Sequence, residues 1–249
     1  MNLALPPRIG ASVSGSAIAA SLFGKPQAVV EAGLEHHLRM GNIPDFLRTT
    51  VDVPVQGDGR SGTVRVLPDV LSVGTDENFF RVPMTPGLAQ RIADISGAML
   101  PTRKIVNAIW HAATVKLEPK PQGAPYDATM QSVERFWAHH LTIEDQLADC
   151  GARLGALVAG HKKDVVVTPH LMAGRVAIFG WHRLSGDPIQ PLNFSSHDSL
   201  YRDYSHGIRL VDRTMVIDGE IASVPRLLAD PVLHTLVSDE GVSRIWRQP

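Results

Sequence analysis

Cysteine is nearly absent from this sequence. Cys150 is the single thiol among 249 residues, which excludes an intrachain disulfide, a four-cysteine zinc module and an iron–sulfur cluster. An excess of one charge is missing too. Against 25 Asp and Glu stand 24 Lys and Arg, so the clustered positive potential that phosphate binding needs is not provided and no nucleic-acid partner is expected. Long apolar runs are also lacking: Ala17 to Phe23 falls far short of the roughly 20 residues of a spanning helix, and no integral membrane segment is expected. Residues 1–24 lack the ordered charged, apolar and small-residue regions of a secretory signal, so none is expected in this chain. There is no glycine-rich phosphate cradle, nucleophile elbow or His-Glu-x-x-His helix, and no nucleotide or organic cofactor is expected.

What is present is a globular composition, 44% hydrophobic and 20% charged, on a chain long enough to bury a core without staples. Eleven histidines accompany the one cysteine. A metal or acid–base centre must therefore be built from imidazole and carboxylate.

The apolar spacing of Val29, Val30, Leu34 and Leu38 predicts a helix over 26–40, stopped by Gly41 and Asn42. Alternation at Val51, Val53 and Val55, a glycine-rich turn over 57–62 and further alternation to Leu67 predict a hairpin, with another strand over 70–73. Thr85-Pro86 starts a helix carrying Leu88, Ile92, Ile95 and Met99, and Thr102 caps a second carrying Ile105, Val106, Ile109, Trp110 and Ala113. A long helix is predicted over 128–148. The remainder changes period, with strands over 165–168, 175–181, 189–192, 207–211 and 214–217 and short helices after 222. The expected fold class is α+β, with helical N-terminal and middle parts packed on a mainly antiparallel C-terminal sheet. A single domain over 1–249 is expected. The proline-rich connector 119–125 is a sub-boundary, between helices plus a hairpin (1–118) and a long helix plus the sheet (126–249).

Five histidines, His161, His170, His182, His197 and His206, fall within the sheet-rich third. The neighbours His36-His37 and His139-His140 lie on helices about 100° apart, where one of each pair is expected to face solvent and the other to pack. The densest cluster is 195–210, with His197, His206, Asp198, Asp203, Tyr201, Tyr204, Arg202 and Arg209 within sixteen residues. Strand alternation there places Tyr204, His206, Ile208 and Leu210 on one face and Asp203, Ser205, Arg209 and Val211 on the other. In Gly160-His161-Lys162-Lys163-Asp164 the charges read as a solvated turn, with Lys163 available to bind a substrate carboxylate. Trp181 and His182 point to opposite faces of a strand end, and the Trp reads as core unless it faces a cleft. Asp76 and Glu77 read as a polar turn.

The segments Gly41-Asn42-Ile43-Pro44-Asp45-Phe46-Leu47-Arg48, Leu100-Pro101-Thr102-Arg103-Lys104, Ala159 to Asp164 and Asp203-Tyr204-Ser205-His206-Gly207-Ile208-Arg209-Leu210 together resemble the shared motifs of a group of uncharacterised, often exported bacterial proteins. That resemblance implies an extracytoplasmic location, periplasmic or secreted, and carries no activity. Ser205-His206-Gly207-Ile208-Arg209 is similar to the Ser-His-Gly-Cys-apolar-Arg signature of L,D-transpeptidases, with the cysteine missing between Gly207 and Ile208. Ser195-Ser196-His197 with Asp203 is similar to the Ser-x-His and downstream Asp of zinc D,D-peptidases, although the spacing is one residue short and no Glu-x-Trp-His segment follows.

These features lead to the expectation of a hydrolase acting on a peptide or amide bond of peptidoglycan. His206, Asp203 and His197 are its expected acid–base groups. Zinc is the expected metal, with His182, His197, Asp203 and His206 as ligands. Arg209 or Lys163 would hold a substrate carboxylate. The alternative is a non-enzymatic glycan- or protein-binding module that grips its partner through Tyr201, Tyr204 and Trp181.

Overall fold

The computed structural model describes residues 3–248. Two helices open the fold: α1 (Gly15–Leu22), whose cap Ser14 accepts from the Ala17 amide, and α2 (Gln27–Arg39), which buries Val30, Leu34 and Leu38 as its spacing requires. The hairpin follows as β1 (Val51–Gly57) and β2 (Arg60–Val66), then a second one, β3 (Ser72–Gly74) and β4 (Phe79–Arg81). Thr85 and Thr102 cap α3 (Pro86–Ile95) and α4 (Arg103–Ala112), accepting from the Leu88 and Ile105 amides as predicted. The predicted α3 runs too long, because Met99 belongs to the short strand β5 (Ala98–Met99). Next come β6 (Val115–Lys116) and, after a single 3₁₀ turn over Ala128–Gln131, α5 (Val133–Asp149). The last part carries β7 (Val158–Ala159), β8 (Lys163–Val165), β9 (Ile178–His182), β10 (Pro188–Asn193), β11 (His206–Gly207), β12 (Val211–Ile217), β13 (Glu220–Ser223) and α6 (Val224–Leu228).

The fold is α+β, with mainly antiparallel pairing distributed over several sheets rather than one. The largest sheet runs β1-β2-β12-β13, with β5 also paired to β12. The hairpin from the first part of the chain and the strands of the last part thus share one sheet across the 119–125 connector. One core runs through both parts, from Ile18 and Leu34 through Val64 and Ile109 to Ile178 and Leu228. A second sheet, ordered β10-β9-β8-β11, positions the polar cluster. Within it β8 and β11 are parallel, with His206 opposite Lys163 and Gly207 opposite Asp164.

Two glycines make that placement sterically feasible. Gly160 has φ +91°, and a Cβ on it would lie 2.2 Å from the Leu117 carbonyl oxygen. A Cβ on Gly207 would stand 2.7 Å from Val70 Cγ1 and 2.9 Å from Lys162 Cβ, so only glycine lets β11 lie this close. Among the described residues no helix is long and apolar enough to cross a membrane.

Candidate active site

The four residues 161–164 are all buried, which corrects the reading of this stretch as a solvated turn. Each side chain reaches a different interior partner. His161 Nε2 lies 2.8 Å from Asp69 Oδ1, and Asp69 Oδ2 accepts from Arg81 Nε and Nη2 at 3.0 and 2.7 Å. Lys162 Nζ sits 2.9 Å from His139 Nδ1 and also donates to the Tyr204 carbonyl. Lys163 Nζ donates to Asp203 Oδ2 at 2.8 Å. Asp164 lies near Arg209, whose charge works to lower it against burial.

Burial sets the electrostatics of this belt. Lys162 is pushed down to about 7 by burial and then by the Arg81 charge. Asp164 is pushed up to about 7, chiefly by burial. His161 falls to about 4 and His206 to about 3, in both cases from burial that a neighbouring carboxylate only partly offsets. Burial works to raise the Asp203 carboxyl, but His206, Lys163 and a hydrogen bond from Ser205 outweigh it and hold it ionised well below the usual carboxylate range.

Three of the expected site residues, His197, Asp203 and His206, come together through Tyr201. Its hydroxyl donates to Asp203 Oδ2 at 2.9 Å, and its ring stacks on His197 at 3.8 Å and meets His206 edge-on at 5.7 Å. His197 and Tyr201 are half-buried and lie between the buried His206 and the surface. Both His206 ring nitrogens lack a hydrogen-bond partner among the described residues. The expected 207–211 strand is broken: Gly207 pairs together with His206 in β11, and Val211 already opens β12. Asp203 is in a turn, where its carbonyl accepts the His206 amide, and the two side chains are not separated onto opposite faces of a strand.

The other expected roles change. His182 is 2.9 Å from Asn107 Oδ1 and stacks on Trp110, so it does not join His197, Asp203 and His206. The four residues expected as zinc ligands are not brought to one point. No three His, Cys, Asp or Glu side chains among the described residues converge enough to hold a metal ion. Lys163 is committed to Asp203. Arg209 is buried and donates to the Leu67 and Val158 carbonyls at 2.9 and 2.7 Å, so neither cation is free for a substrate carboxylate. Trp181 and Tyr204 are interior, each edge-on to His139, and Tyr204 Oη accepts the Gln122 amide. Of the three aromatics expected to grip a glycan, only Tyr201 nears the surface.

Sequence reasoning missed Asp69, Arg81, His139 and Asp164. His139 and His140 are both buried, correcting the expectation that one faces water: His139 meets Lys162, and His140 Nδ1 lies 3.1 Å from Arg81 Nη1. His36 and His37 follow the expectation, one exposed and one half-buried. Asp76 caps the Phe46 amide as an ordinary turn residue. Comparison with protein-family models, with curated proteins and with solved structures finds no match.

Proposed function

We propose that the chain is a hydrolase that cleaves a peptide or amide bond, with a bacterial cell-wall peptide as its substrate. The observation that carries this reading is His206: a buried imidazole with both nitrogens unpartnered, beside a locked Asp203–Lys163 pair and under the half-exposed Tyr201 and His197. Unpartnered buried polar atoms cost stability and persist where function uses them. Because His206 is neutral at physiological pH, its N–H can donate to a scissile carbonyl and polarise it without a formal charge. The fixed Asp203 anion keeps the surrounding field constant. The cell-wall substrate is supported by the resemblance of residues 205–209, and of residues 195–197 with Asp203, to signatures of peptidoglycan enzymes. An exported setting fits that substrate.

The test is release of new amino termini from purified peptidoglycan and its stem peptides, with zinc content measured on the same preparation. We expect His206→Gln, folded by circular dichroism, to lose activity about 100-fold or more, the range found on removing one positioned donor. Turnover within a few-fold of the unaltered protein would show that His206 takes no part.

A further inference from the structure

The end of α5 and the loop after it line an open cavity of about 260 Å³ in which the hydrolase reading has no part. The helix end places the loop. Gly151, at φ +61°, and Ala152 donate their amides to the Ala148 and Leu147 carbonyls, which closes α5 and turns the chain back. Leu154 and Gly155 then share the cavity wall with Phe46 and Phe79, and a Cβ on Gly155 would sit 3.9 Å from Phe46 Cβ. With Leu147 these residues make most of the wall apolar. The volume exceeds the roughly 150 Å³ that accepts benzene, so a small aromatic body fits.

The rest of the wall is ionic. The Arg81 guanidinium, 1% exposed, lies between two carboxylates: Asp69 Oδ2 accepts from Nε and Nη2 at 3.0 and 2.7 Å, and Glu144 Oε1 accepts from Nη1 at 2.5 Å. His140, against Arg81, and His161, against Asp69, are neutral at pH 7 because burial holds both below the usual imidazole range. One cation thus faces two anions, and a negative charge is left over on the wall. Its outlet is Glu144, 39% exposed, whose Oε2 accepts from no described residue. The negative pole of the 17-residue α5 ends at the same cavity, with no basic residue in its last turn. The remaining charge on the wall, Arg153, is exposed and in no ion pair among the described residues, so solvent screens it.

We propose that this cavity binds a small organic cation, a primary ammonium group carried on an apolar body. The ammonium donates to Glu144 Oε2, and the body takes the place of water against Phe46, Phe79, Leu147 and Leu154. An anion is disfavoured by the same wall, because the charge of Arg81 is already met by two carboxylates. The site stands whether or not the protein is a hydrolase, and its test needs no turnover.

Phenethylammonium, phenylethanol and phenylpropanoate share one phenylethyl body and differ in head group. Titrated into the full chain at pH 7 and followed by calorimetry, phenethylammonium should bind at least about tenfold more tightly than phenylethanol, the factor of one hydrogen bond to a charged group, and phenylpropanoate should bind least. Glu144→Gln, which can still accept from Arg81, should abolish that preference and leave the affinity for phenylethanol within about twofold. Ala148→Phe, at an exposed helix position on the cavity wall, should abolish binding of both probes. Equal affinity for the three probes, a preference for the carboxylate, or no saturable binding of phenethylammonium at millimolar concentration overturns the cation site. An ammonium preference kept by folded Glu144→Gln does the same, as does binding that survives Ala148→Phe intact, which puts the ligand elsewhere. If Glu144→Gln does not fold by circular dichroism, Ala148→Phe and the three probes decide by themselves.

Discussion

Replacing His206 with leucine should make the protein more stable. The ring is 1% exposed, and neither nitrogen has a partner among the described residues. Each unsatisfied buried donor or acceptor costs about 1–3 kcal/mol. An apolar side chain of similar volume removes both penalties, and imperfect fit returns about 1 kcal/mol of the gain. The expected net effect is a stabilisation of about 1–5 kcal/mol. At about 2–4 °C per kcal/mol for a chain of this size, the thermal midpoint should rise by roughly 2–20 °C. Urea unfolding at pH 7 should move to a higher midpoint with an unchanged slope, since the same surface is exposed on unfolding. Activity should vanish in the same variant, the opposed pair of effects expected where a site carries unfavourable burial for function. A loss of 1 kcal/mol or more would refute the reasoning, because it would mean that the imidazole nitrogens make bonds that hold the fold together.

Asp203→Asn should cost about 3–5 kcal/mol in urea unfolding, because it leaves the buried Lys163 ammonium without its countercharge; adding Lys163→Met should recover part of that loss, and strictly additive effects would show that the pair is uncoupled. Acid should destabilise the fold well above the carboxylate range. His161, His182 and His206 bind protons at about 4, 4 and 3 when folded and near 6.5 when unfolded, so the unfolded chain holds more protons over that window and stability falls as pH drops from 6.5 toward 4. Asp164, raised to about 7, works the other way and offsets one of these three, leaving two at about 1.4 kcal/mol per unit each near pH 5, and the buried His139 and His140, held well below the usual imidazole range, steepen the slope further. A urea midpoint that is the same at pH 7 and pH 5 would contradict these burials.

The parts of this fold that a sequence pattern reveals are those held by local chemistry. The stripe of α4 is buried where its spacing places it, both threonine caps accept the predicted amides, and β1 and β2 pair about a turn at Asp58-Gly59. The sheet to which that hairpin belongs is not local. β2 pairs with β12, about 150 residues later, and nothing in either strand's alternation names the other. The boundary inferred at 119–125 shares this weakness, since a proline-rich connector reports a change of local structure and not a division of the core.

The candidate site was half legible for the same reason. Residues 195–210 were marked by composition, and His197, Tyr201, Asp203 and His206 do meet. Residues 161–164 have the pattern of a surface turn, a run of ionisable side chains before a strand, and are buried nonetheless. What reverses the reading is partners at distances in sequence of 92 for His161, 23 for Lys162 and 40 for Lys163. A buried charge is tolerated only when its partner is in place, so its burial is a property of the pair and cannot be read from either member. The same dependence displaced the roles assigned to Lys163 and Arg209: a cation expected to wait for substrate was already neutralised by, or bonded to, groups elsewhere in the chain. The residue just before the run shows, in the structure, why it turns inward. Gly160 packs against the Leu117 carbonyl with no room for a side chain, and a chain that must pass so close to other backbone is entering the interior, taking the charges that follow with it.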